Sequence, residues 1–253
     1  MFQTEFEQLS NAAVHKHWKV KNRFWQYMMS AMFAGYFIFV ATILSNIMSA
    51  VLTDVNWAFA RLMGAFLFSI AIILIVFIGG ELFTGNNMTM MLGFYTGKVK
   101  FSEACRVWFY SYIGNFIGIM LMCVLFYFSG AQRGILTDYY GTIIPGKLEV
   151  GLLELFLRGV LCNFLVCLAV FTGSKMKSES GKIIVMICVI SSFVIAGFEH
   201  CIANMSTFAL SAMFLGGLPC MEVLKSMVMV TLGNIVGGGF LFAFAIWFMA
   251  KDT

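Results

Sequence analysis

Gly80-Glu81-Leu82-Phe83-Thr84-Gly85-Asn86 lies inside an apolar segment running from about residue 62 to 97. A variant of it, Phe198-Glu199-His200-Cys201-Ile202-Ala203-Asn204, lies inside a second apolar segment, 183–215. In both, Asn follows Glu by five positions. Gly-Asn-x-x-Gly then follows each Glu at nearly the same distance, as Gly114-Asn115 to Gly118 and as Gly233-Asn234 to Gly237. Both host segments are too long for one crossing: Arg61 and Lys98 stand 37 positions apart, and Lys182 and Glu222 stand 40 apart. About 20 residues of helix cross a bilayer, so each segment holds a broken or re-entrant helix, with breaks expected at Leu82–Gly85 and His200–Ile202.

Working outward, charged residues divide the chain into apolar segments at 24–52, 62–97, 107–129, 151–173, 183–215 and 223–250. With 61% hydrophobic residues, 11% charged and a mean hydropathy of +0.91, the chain lacks the charge to cover a soluble surface. The fold class expected is all-α and integral to the membrane. Six crossings fall as three plus three, and an odd number per half makes the second copy (151–250) enter upside down relative to the first (24–129). Interrupted helices at corresponding positions of an inverted repeat point to a transport site near the bilayer midplane.

Of the 16 basic residues, 11 fall on one side of this topology, among them Lys16, Lys98, Lys182 and Lys251, and five on the other: Arg61, Arg133, Lys147, Arg158 and Lys225. The bias places both termini in the cytoplasm of a multi-pass protein of the cell's inner (plasma) membrane. Residues 1–22, with Phe2, Phe6, Leu9 and Ala13 at helical spacing, form a cytoplasmic amphipathic helix at the membrane interface; residues 23–253 form the transmembrane channel domain. A net charge of +4, dispersed along the chain, gives no nucleic-acid footprint. The seven cysteines show no Cys-x-x-Cys spacing, so neither a metal site nor a disulfide framework is expected. A haem held between helices wants paired membrane histidines, and no cofactor is expected.

Backbone that is not helical at membrane depth survives only where protein or water satisfies it, so the breaks should line the pathway. The free N–H groups that open each second half-helix, with the helix dipoles, favour an anion there. His200 is the only histidine beyond the N-terminal tail. An ionisable group at membrane depth is functional by default, and imidazole exchanges protons near neutrality. Thr84 brings a hydroxyl to the other break. Glu81 and Glu199 are expected to be structural, accepting from backbone N–H groups that the breaks free, with Asn86 and Asn204 beside them. Glu154 and Arg158 pair at i,i+4, which leaves Lys147 as the freer charge and a candidate for attracting anions. A neutral-solute facilitator of aquaporin type would share the inverted repeat, but it needs no titratable centre and the Asn-Pro-Ala signature is absent. A membrane-embedded enzyme would need a metal cluster, nucleophile pair or cofactor motif, and no catalytic residue is indicated.

At these residues the chain resembles the formate/nitrite transporter family of aquaporin-like pentameric channels, which includes hydrosulfide channels. The resemblance rests on Glu81 to Asn86, Cys162 to Val170 (Cys-Asn-Phe-Leu-Val-Cys-Leu-Ala-Val), Gly197 to Met205 and Gly233 to Gly238, and runs from the basic tail to Lys251. It implies a homo-pentamer, a funnel on each side of the bilayer, two apolar constrictions and a central histidine that exchanges a proton with the permeating anion. By position, His200 is that histidine, Thr84 the threonine of the first break, Asn163 a pore-facing amide and Lys147 the lysine of the outer vestibule, while Leu82, Phe68 and Phe193 form the constrictions. Formate channels tend to read Asp-Leu-Phe-Thr-Ser where Glu81 to Gly85 stand, which turns the substrate expectation from formate towards hydrosulfide, with nitrite also open.

Overall fold

The structure, a computed structural model, describes residues 3–250. Phe2 of the amphipathic face and Lys251 of the basic tally lie outside them. Every regular element among the described residues is helical. The chain opens with α1 (Gln3–Asn22) and α2 (Phe24–Thr53). Next come α3 (Trp57–Phe68), α4 (Ile70–Leu74) and a π-helical turn at Ile75–Gly79, and after a break α5 (Phe83–Tyr95). Then follow α6 (Phe101–Ser129), α7 (Arg133–Leu148), α8 (Leu152–Lys175), α9 (Glu179–Ile195) and, after the second break, α10 (Cys201–Leu215). The last run is α11 (Cys220–Ile235), a π-helical stretch Val236–Phe242 and α12 (Ala243–Ala250).

Five apolar helical runs among the described residues are long enough to cross a bilayer: Phe24–Thr53, Trp57–Gly79, Phe101–Ser129, Leu152–Lys175 and Cys220–Ala250. The run from 179 to 215 reaches a comparable length only by joining α9 and α10. Boundaries set at charged residues cut several runs short. α6 begins at Phe101, ahead of Glu103 and Arg106, and α11 includes Glu222 and Lys225, because long charged side chains in a terminal turn reach the interface without ending the helix. The segment around Lys147, which lies outside every apolar segment, is the helix α7.

Each break begins on a glycine in the left-handed region, Gly79 (φ 93°) and Gly197 (φ 75°), where a side chain would be strained. Extended backbone follows, through Leu82 in the first break and His200 in the second. The breaks therefore sit at Gly80–Leu82 and Ala196–His200, a few residues ahead of the places expected. Thr84, Gly85 and Ile202 are already helical.

The Gly-Asn-x-x-Gly motifs have two uses. Their glycines bring helices into backbone contact, since a Cβ on Gly118 would collide with the Met32 carbonyl of α2, and one on Gly237 with the Val160 carbonyl of α8; small residues permit such approach within a membrane. Their asparagines hold the breaks. Asn115 Oδ1 accepts from Phe83 N–H (3.0 Å), and its Nδ2 donates to the carbonyls of Ala31 (2.8 Å) and Glu81 (3.0 Å). Asn234 Oδ1 accepts from Cys201 N–H (2.9 Å), and its Nδ2 donates to the carbonyls of Gly159 (2.8 Å) and Glu199 (2.9 Å). The match extends to the backbone, where Glu81 N–H donates to Ser30 and Glu199 N–H to Arg158. Glu81 and Glu199 thus do not cap the freed N–H groups, as the sequence reading had it; the asparagines one motif later do.

α1 does not leave its apolar face to lipid. Phe6, Ala13 and Val20 are buried, and Ala13 lies against Gly93 of α5. Lys98 Nζ donates to Ser10 Oγ and Asn11 Oδ1, both at 2.8 Å.

Candidate functional site

The two breaks meet side chain to side chain. Thr84, in the first turn of α5, and His200, the residue before α10, are both buried, with Thr84 Oγ1 and His200 Nε2 3.0 Å apart. His200 Nδ1 accepts from the backbone N–H of Ala203 at 3.2 Å, the bond of an N-cap. That bond assigns the neutral ring its tautomer: Nδ1 bears the lone pair, and Nε2–H donates to Thr84 Oγ1. The threonine hydroxyl proton is then free to point elsewhere. Because Thr84 and His200 stand at the starts of α5 and α10, the positive ends of both helix dipoles converge on this pair.

Beside it lies a cavity of about 10 Å³ whose walls are apolar apart from the imidazole. Leu82, Phe68 and Phe193 all line it, with Val166 and Ile190. Phe68 meets Phe193 edge to face, centroids 5.9 Å apart, and Phe193 stacks on His200 at 6.2 Å. The space holds about one water, and the three apolar residues share its wall with the histidine.

Asn163 is placed differently from the expectation. It is fully buried, and its Nδ2 donates to the carbonyls of Thr84 (3.2 Å) and Asn234 (2.7 Å) and to Asn87 Oδ1 (3.1 Å). An amide so engaged has no donor left for a solute; Asn163 ties α8 to both break assemblies instead of facing the pore. Asn86 and Asn204 act beside the breaks. Asn86 Nδ2 donates to Tyr27 Oη (3.1 Å), and Asn204 Nδ2 to Glu199 Oε2 (2.8 Å).

Each glutamate has a lysine. Lys16 of α1 meets Glu81 Oε2 at 2.5 Å, and Lys147 of α7 meets Glu199 Oε2 at 2.5 Å. Lys147 is therefore not the freer charge; its ammonium neutralises a buried carboxylate and lies 5.8 Å from the centre of the Phe208 ring. The i,i+4 pair of Glu154 with Arg158, at 3.4 Å, is exposed, whereas the Lys147–Glu199 pair spans 52 positions and leaves no local mark on the sequence. Sequence reasoning missed Lys16 altogether, since nothing local joins it to Glu81 across 65 positions. It also missed the capping by Asn115 and Asn234, for which a signal existed: a polar amide recurring inside apolar helices 34 and 35 residues after the two glutamates.

On the α7 side opens a cavity of about 770 Å³ lined by residues of α2, α3, α7, α8 and α9 and of the second break, Lys147 and Glu199 among them. Arg61, which the sequence reading only counted, stands here. Its Nη2 donates to the Ile195 carbonyl at 2.5 Å.

Two solved structures with this architecture are described as channels. One described as an FNT family ion channel superposes with a TM-score of 0.90 over 97% of this chain and 98% of its own, at 24% identity, a likeness of fold. A pentameric formate channel with formate bound superposes with a TM-score of 0.79 over 92% of this chain and all of its own, at 28% identity. Among characterised sequences, the formate channel FocA of Haemophilus influenzae is 30% identical over 243 residues, covering 87% of this chain and 85% of that protein. The sequence model described as formate/nitrite transporter matches residues 3–248, and the chain belongs to that family of membrane transport proteins.

Proposed function

We propose that this protein is a membrane channel for small monovalent weak-acid anions, with formate, nitrite and hydrosulfide as the class, and that it works as a homo-pentamer. Its six crossings form an inverted repeat with both termini in the cytoplasm of the plasma membrane. The observation that carries the reading is the Thr84–His200 pair set in an apolar constriction at the convergence of two helix N-termini. Formate bound to a structural relative and the formate channel among the sequence relatives support the anion class; hydrosulfide rests on the departure at Glu81 to Gly85.

A naked anion passing Leu82 and the Phe68–Phe193 pair would lose its hydration at a cost of many kcal/mol, more than two dipoles return. A weak acid escapes by taking a proton at the centre. The Thr84 hydroxyl and the N-termini of α5 and α10 hold the anion, and His200 exchanges the proton. An imidazolium carries hydrogen on both nitrogens, so charging His200 displaces the Ala203 N–H from Nδ1 and costs about 1–3 kcal/mol for the orphaned donor. The histidine therefore rests neutral; with an anion beside it, it takes a proton from the aqueous side, gives one to the anion and returns to the neutral ring as the neutral acid leaves.

The test is anion uptake into liposomes between pH 5 and 8. His200→Asn is expected to keep the fold while flattening the pH dependence and weakening discrimination against chloride. Thr84→Val is expected to lower flux about tenfold, one hydrogen bond to a charged group. Unchanged pH dependence and selectivity in well-folded His200→Asn protein would reduce the histidine to a structural cap.

A further inference from the structure

With Lys147 paired to Glu199 and Arg158 to Glu154, Arg61 is the remaining cation lining the 770 Å³ cavity. The other charged residues lining it are Asp54, Asp138, Lys147, Arg158 and Glu199. Among the described residues no carboxylate pairs with Arg61. It stands seven positions before Phe68 on α3, about two helical turns along the same face. Its acceptor, the Ile195 carbonyl, lies two residues past Phe193. The guanidinium therefore sits directly outside the Phe68–Phe193 closure. Asp54 ends α2 seven positions before Arg61, and Asp138 lies more than two turns before Lys147 on α7.

The guanidinium is also held. The Ile195 carbonyl fixes Nη2, and the Trp57 ring lies 5.4 Å from the guanidinium carbon; yet the residue is exposed to the cavity. One carbonyl occupies one of its five N–H donors. A planar fork fixed at two points with donors to spare matches a planar anion with two oxygens on one atom, bound bidentate, better than it matches a single-centred ion.

We propose that Arg61 is the residue that receives planar two-oxygen monovalent anions, the formate and nitrite type, at the neck of this vestibule and sets their preference over hydrosulfide. This rests on the anion-channel reading above. Lysine at this position keeps the charge and loses the fork; glutamine loses both.

The experiment measures half-saturating concentrations for formate, nitrite and hydrosulfide in liposomes, corrected for bare-liposome leak, at low and high concentrations of an impermeant salt. Arg61→Lys is expected to raise the values for formate and nitrite about fivefold and leave hydrosulfide within about twofold. Arg61→Gln is expected to raise all three, more at 0.01 M salt, where the Debye length is about 30 Å, than at 1 M, where it is about 3 Å. Arg61→Lys protein that handles formate and nitrite as wild type does would overturn the proposal. So would Arg61→Lys and Arg61→Gln proteins equally impaired for every anion at every salt concentration, with matching losses of thermal stability, since that is the behaviour of a tie between α3 and α9. Wild-type protein that carries none of the anions would overturn the channel reading together with this role.

Discussion

Replacing Asn115 by Ala should cost about as much stability as replacing Asn234. In wild type each side chain makes three buried hydrogen bonds. Two groups per site have no second partner, Phe83 N–H and the Glu81 carbonyl in one break, Cys201 N–H and the Glu199 carbonyl in the other. The carbonyls of Ala31 and Gly159 lie within α2 and α8, where the helix still uses them. Two orphaned buried groups at about 1–3 kcal/mol each give about 2–6 kcal/mol. Interhelical bonds measured within bilayers average about 0.6 kcal/mol and reach about 1.7, so three of them give about 2 on average and about 5 at most. Both routes meet at about 2–5 kcal/mol for each variant. Aspartate should be no better than alanine: it keeps the acceptor for the N–H but turns an oxygen towards two carbonyls. Unfolding free energy, measured by titrating a denaturing detergent into mixed micelles, gives the number, with exposed Asn22→Ala as a control expected within about 0.5 kcal/mol. A loss below about 1 kcal/mol in either variant, or a large loss in one alone, would refute the claim that the asparagines hold the breaks in equivalent ways.

Lys16→Met should destabilise by about 3–5 kcal/mol because Glu81 is left charged and buried, while Lys16→Met with Glu81→Gln should recover most of the loss; the same detergent titration reads it. Lys147→Met and its double with Glu199→Gln should behave alike, and a Lys147 variant that lowers flux only at low salt without loss of stability would restore the vestibule role that the ion pair denies it. Gly237→Ala, whose Cβ would meet the Val160 carbonyl, should cost about 1–3 kcal/mol. Gly141→Ala, in open space on α7, should be neutral or stabilise by up to about 1 kcal/mol, and thermal melts of the two proteins separate these outcomes.

The membrane class and the existence of two breaks were legible because they follow from segment length and from Glu and Asn at repeated spacing, which are properties of the one-dimensional chain. So was the placing of Thr84 and His200, one at each break. What could not be read was how remote side chains pair. Lys16 and Lys147 each look like a solvated lysine on a polar helix face, and only the packing of α1 and α7 against the bundle brings them to Glu81 and Glu199. Asn163 was misplaced for a related reason: an amide in an apolar helix signals a polar neighbour, but backbone carbonyls at a break and a solute in a pore leave the same mark on the sequence. Arg61 was hidden by its own usefulness in counting charges, because a residue taken as a boundary of the apolar segment was not asked what it faced.

In both ion pairs the lysine comes first along the chain, by 65 residues for Lys16 and Glu81 and by 52 for Lys147 and Glu199. A ribosome therefore delivers each cation before the carboxylate it will neutralise. An acidic side chain at membrane depth raises the cost of insertion by about 2.5–3.5 kcal/mol, and that cost falls on the nascent helix as it leaves the translocon. Here the counter-charge has already emerged on a segment outside the helix being inserted, so each acidic break can enter the bilayer as half of a neutral pair. Shortening the chain from its N-terminus through Lys16 would remove the counter-charge of the first break alone, and the defect should appear as failed insertion during synthesis, before any measurement of flux.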